Sequence, residues 1–153
     1  SSAASDVYKR QAVGVTAYSG YTSSAKTSST KSIHANTMKF IAAEWQKCNL
    51  NPKAKVMVKS ATVAAQHINC ETQGAANVVT LLTSEENSPL QDKDPFDGGF
   101  AFAGTAPTGK AVAGNVIISS ADKVITLKTC HTLNDKGDAC DADGFVENTV
   151  TLE

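Results

Sequence analysis

The sequence predicts an α+β fold in which one long N-terminal helix packs against a small antiparallel β-sheet. Two features point there. Residues 13–48 contain no proline and carry an amphipathic stripe, and residues 115–152 hold three β-branched runs joined by short polar connections. At 153 residues the chain suits one domain, or one domain with a protruding element.

Val13 to Cys48 reads as a single helix. In its second half Ile33, Thr37, Phe40, Ile41, Glu44, Trp45 and Cys48 recur at steps of three and four. That spacing puts Ile33, Phe40, Ile41, Trp45 and Cys48 on one face. The first half is small and polar, with Gly14, Gly20 and a Ser/Thr run from Thr22 to Thr30. Each glycine costs about 1 kcal/mol of helix propensity, so this half needs support from outside itself. Asn49 to Pro52 supplies the stop signal.

Residues 12–48 therefore form a spine, and residues 49–153 form a globular head. Lys55 to Lys59 alternates like a short strand. Asn77 to Ser84 suits a short buried helix, with Gly74 as a boundary before it. Residues 88–109 hold three of the four prolines and read as loop. Asn115–Ser120, Lys123–His131 and Phe145–Leu152 form a β-meander over 115–152, with one face on a core. Ser120 to Asp122 is the first tight connection, and a Gly/Asp-rich loop is the second. There are no internal repeats.

A hydrophobic content of 41% supports a real core. The net charge of −1 argues against a general nucleic-acid binder or a polybasic membrane surface. No run of about 18 apolar residues is present to span a membrane. The cysteines at 48, 70, 130 and 140 include no C-x-x-C pair, which excludes a zinc ribbon or a thioredoxin-type site. An even, scattered set fits two disulfides in an oxidising compartment; the alternative is four buried thiols in a reduced protein. Of three connectivities, Cys48–Cys70 with Cys130–Cys140 asks for the least chain rearrangement.

Residues 1–11, SSAASDVYKRQ, resemble the in-frame translation of a transposase-type sequencing adapter. This segment is expected to be non-native and is set aside from the fold reading.

Ala17-Tyr18-Ser19-Gly20-Tyr21-Thr22, followed by small polar residues and Ala25, is similar to the stretch after the hydrophobic N-terminus of type IV pilins. The order of parts agrees from Ala12 onward: helical spine, variable αβ segment, a Pro-Phe-Asp loop (Pro95 to Asp97), β-meander and C-terminal cysteine pair. The family's processing glycine, apolar run of about twenty residues and acidic fifth residue are missing here. The resemblance implies a structural subunit of an extracellular pilus serving adhesion, motility or uptake, and not an enzyme. Its partners would be copies of itself in a helical filament, with the inner membrane holding the precursor through the missing apolar segment. Tyr18 and Tyr21, three apart on one helix face, become candidate subunit contacts, against the alternative that both pack on their own head. A type II secretion pseudopilin and a secreted, disulfide-stapled adhesin or binding domain are the rival readings.

Other constellations are weighed against plainer roles. Asp135, Asp138, Asp141 and Asp143 lie in a Gly-containing segment and offer oxygen ligands of the kind calcium takes. The bidentate glutamate of an EF-hand is absent, and a solvated, disulfide-closed loop competes with calcium. Pseudopilins bind calcium in this general region, so the resemblance lends that site some support. No other cofactor is expected. Asp92, Asp94 and Asp97 beside Pro95 read as solvated turn residues. Gly104 to Ala111 has phosphate-loop spacing but carries Ala111 at the Ser/Thr position, Pro107 inside it and a strand after it. His34, His67 and His131 have no metal or catalytic spacing, and no G-x-S-x-G elbow exists. Lys53, Lys55 and Lys59 read as a solvated face, so no specific nucleic-acid binding is expected.

Overall fold

The computed structural model describes residues 2–107 and 112–153, with side chains from Thr22 onward. Helix α1 covers Ser2–Leu50. It begins before the expected Val13 and runs two residues past Cys48. Asn51 N–H still donates to the Lys47 carbonyl (2.9 Å), after which Pro52 has no N–H to give and Lys53 N–H turns to Asn51 Oδ1 (3.1 Å).

The next segment departs from the expected strand over Lys55–Lys59. Strand β1 is only Lys55–Val56, paired antiparallel with β2 (Ile68–Asn69). Met57 ends it by adopting φ 52°, with its N–H donated to Glu44 Oε1 of α1 (2.8 Å) and its side chain fully buried. A three-residue 3₁₀ turn, Ala64–Gln66, leads into β2. Helix α2 (Ala75–Leu82) starts and ends two residues earlier than the pattern predicts, with Gly74 at the expected boundary. Asn77 Oδ1 accepts from Gly74 N–H (3.0 Å) and fixes that start. Ala75, Val78, Leu81 and Leu82 turn into the core.

The predicted meander is present as β4 (Val116–Ala121), β5 (Val124–Cys130) and β6 (Phe145–Thr151), all antiparallel neighbours. Asp122, at φ 54°, makes the two-residue turn between Ala121 and Val124. The sheet is nonetheless mixed. A two-residue β3 (Phe102–Ala103), inside the region expected to be loop, pairs parallel to β4 and gives the order β3-β4-β5-β6. Burial drives that pairing: Ala101 and Phe102 sit in the core, and Val116 N–H donates to the Ala101 carbonyl (2.8 Å).

Val116 and Ile118 of β4 face inward beside Ile125 and Leu127 of β5, all fully buried. They meet Val78 and Leu82 of α2 and Ile41 of α1 in one core. Each such side chain contributes about 1.5–3 kcal/mol by leaving water.

Asp94 overturns the reading of a wholly solvated acidic turn. It is 2% exposed, accepts from Phe96 N–H (2.7 Å) through Oδ1 and takes the Asn115 amide through Oδ2. Gly114 makes room for it: φ is +95°, and a Cβ there would lie 1.8 Å from Asp94 Oδ1. Asp92 and Asp97 remain at the surface, and Asp97 Oδ1 accepts from Gly99 N–H (2.8 Å). A buried carboxylate needs this many donors, so Asp94 is a structural tie between the loop and the start of β4.

Both disulfides join sequence neighbours, Cys48–Cys70 and Cys130–Cys140. One fastens the end of α1 to the αβ segment. The other ties the end of β5 to the loop before β6.

Candidate assembly surface on the long helix

Helix α1 lies across β5 and β6, and its buried seam is more polar than the sequence implies. Among the described side chains of α1, Thr30, His34, Thr37, Ile41 and Cys48 are the buried positions. Ile33, Phe40 and Trp45, expected at the centre of the stripe, are only half-buried at its margin. The seam keeps the helical period, because 30, 34, 37, 41 and 48 are steps of three, four and seven.

Polar residues are tolerated there because each finds a partner. The Thr30 and Thr37 hydroxyls donate to the carbonyls of Lys26 (2.8 Å) and Ile33 (2.7 Å), one turn back. His34 reaches across to the sheet with both nitrogens: Nδ1 lies 2.7 Å from Thr129 Oγ1 and Nε2 lies 2.8 Å from Asn148 Oδ1. With the Asn148 oxygen as acceptor, Nε2 carries the proton and Nδ1 accepts from the Thr129 hydroxyl. One side chain thus pins α1 to both β5 and β6. Nearer the start, Thr27 Oγ1 donates to the His131 carbonyl (2.9 Å), and the Lys26 ammonium sits 5.9 Å from the Phe96 ring centre. Nearer the end, Glu44 receives Met57 N–H and pairs with Lys47.

Beside the seam, between α1 and β6, an open groove of about 590 Å³ is lined by Lys31, Met38, Lys39, His131, Phe145 and Val146, among others. His131 is almost buried. Its ring is held below its ordinary pKa, first by burial and then by the neighbouring charges of Lys31 and His34. A second cavity of about 450 Å³ opens on the outer sheet face, where Lys128, Cys130, Asp138, Cys140 and Phe145 meet. There the Lys128 ammonium lies 4.6 Å from the Phe145 ring centre.

The other predicted positions sort as follows. Tyr18 and Tyr21 lie outside the residues whose side chains are described, as does the whole of the segment 1–21. Asp135, Asp138 and Asp143 are exposed and Asp141 is half-buried. They serve their own loop: Asp138 Oδ1 accepts from the Asn134 amide (2.8 Å), and Asp141 Oδ2 accepts from Asp143 N–H (3.2 Å). Among the described residues, no three acidic, histidine or cysteine side chains gather as a metal site would require. Gly109, Lys110 and Ala111 of the phosphate-loop-like stretch also lie outside the described residues. Lys53, Lys55 and Lys59 are exposed, and the Lys59 ammonium donates to the Glu86 carbonyl. His67 is buried, with Nδ1 3.3 Å from the Ser60 carbonyl. The seam role of Thr30 and His34 was missed by reading the stripe through apolar residues alone; their spacing from Thr37 and Ile41 carried the signal.

Among the described residues, no helix is long and apolar enough to cross a membrane. Comparison with protein-family models, curated proteins and solved structures finds no match to the chain.

Proposed function

We propose that this chain is a structural subunit of a type IV pilus-like extracellular filament, assembling through its N-terminal helix. One observation carries the reading. Helix α1 runs 49 residues, about 70 Å at a rise of 1.5 Å per residue, which exceeds the roughly 30 Å span of a domain the size of the head. A helix longer than its own domain has length to give to copies of itself. In such a filament, apolar stems bury one another in a central bundle and the heads tile the outside. The two disulfides support service in an oxidising, extracellular setting.

On this reading Tyr18 and Tyr21 sit in the part of the helix that meets neighbouring subunits. The role is structural, and no cofactor is required for it.

The test is the native coding sequence upstream of Ala12. An apolar run of about twenty residues behind a processing glycine is the expected result. An ordinary signal peptide in its place would make the chain a secreted adhesin module instead. Within the filament class, a melting temperature raised by millimolar calcium and lowered by chelator would mark a secretion pseudopilin.

A further inference from the structure

The groove between α1 and β6 has a one-sided charge. Lys31 and Lys39 stand exposed at its edge, and neither takes part in an ion pair among the described residues. His131 contributes a ring whose Nδ1 is engaged by Thr132 Oγ1 (2.8 Å), leaving Nε2 without a described partner. No carboxylate lines the groove. Its floor is apolar, from Met38 and Val146, both half-buried, while the Phe145 ring turns to the outer face with Lys128.

The complementary charge is on the same chain, at another place. Residues 134–144 carry Asp135, Asp138, Asp141 and Asp143 against the single cation Lys136. The Cys130–Cys140 bridge and the pairing of Leu133 with Cys140 hold this loop in one shape, so little order is lost when it docks. Within its own molecule the loop lies over the outer sheet face, where Asp138 lines the second cavity with Lys128. The α1–β6 groove is therefore free of it.

We propose that the groove receives the aspartate loop of a second copy of the chain, with Lys31, Lys39 and His131 facing its carboxylates. This rests on the reading of the chain as a self-assembling subunit, and names a contact for it. Loop and groove are different surfaces, so the contact is head-to-tail and leaves a free loop and a free groove at the two ends of any string of subunits. The apolar floor lowers the local dielectric and strengthens the ion pairs, which fix register between copies.

Zero-length carbodiimide coupling of a mixture of ¹⁴N- and ¹⁵N-labelled full chain, followed by peptide mapping and paired with sedimentation velocity, tests this. The expected result is mixed-isotope amide links from Lys31 or Lys39 to the 134–144 loop, with self-association that weakens as salt is raised. The pair Lys31→Glu and Lys39→Glu, both at exposed positions, removes the reacting amines, so it is read by sedimentation velocity and should weaken self-association about tenfold. Mixing this variant with Asp135→Lys/Asp138→Lys chain should restore coupling. Self-association with links only elsewhere would overturn the groove contact and leave the filament reading standing. A chain that stays monomeric at every concentration would overturn the groove contact and count against self-assembly as well.

Discussion

At the scale of single residues, the interface between helix and sheet depends on satisfied polar groups. His34 is 3% exposed and Thr129 is fully buried, and His34 Nδ1 meets the Thr129 hydroxyl where water is shut out. His34→Ala leaves the Thr129 hydroxyl unpaired and a cavity under the helix. Urea unfolding should show a loss of about 2–4 kcal/mol. His131 adds a pH dependence whose sign follows from its direction of shift. Its folded pKa lies below the ordinary value near 6.5, so the unfolded chain takes the proton first as pH falls. The stability this residue contributes is complete above about pH 6.5 and is lost as pH drops through the lower, folded value. Measured from pH 8 to 4, the stability difference between native chain and His131→Asn should shift against the native chain only below that point. A difference that stays constant across the range would exclude the effect. None of this was legible from residue type, since a lone histidine or threonine in a helix gives no hint of what it will face. The helical steps from Thr30 to Ile41 were legible; only the habit of counting apolar residues hid them.

At the scale of elements, what the sequence disclosed depended on length. β4, β5 and β6 are six or seven residues each, long enough for their alternation to be read directly. β1 and β3 are two residues each and exist because of distant contacts: Glu44 holding Met57, and the core holding Phe102. No local pattern encodes those. The same holds for Asp94, whose burial depends on Gly114 and Asn115 some twenty residues away. The cysteines were legible because short loops close most easily, and the nearest-neighbour pairing is the one found. The Cys48–Cys70 bridge spans 22 residues, and its replacement by two alanines should cost about 3 kcal/mol in thermal or urea unfolding. Because Ile41, Glu44 and His34 also hold α1, the variant should keep its sheet while the end of α1 and the αβ segment gain hydrogen exchange. Loss of the whole fold would show that the bridge, and not the seam, anchors the helix.

At the scale of the whole molecule, the architecture is a head of strands and a short helix fastened to a single 49-residue helix. The seam from Lys26 to Cys48 mixes a buried isoleucine, a bidentate histidine and a disulfide, and no one of these dominates. Such a mixed attachment orients the helix on the head, and on the proposed filament reading further burial is gained between copies. The contacts proposed for Tyr18, Tyr21 and the lysine-edged groove would belong to that assembly. Electron cryo-microscopy of the assembled native protein addresses this most directly. The account predicts thin filaments with the first half of α1 bundled at the axis and the sheets outermost. Filaments with that half of the helix turned outward, or a protein that never assembles, would contradict it.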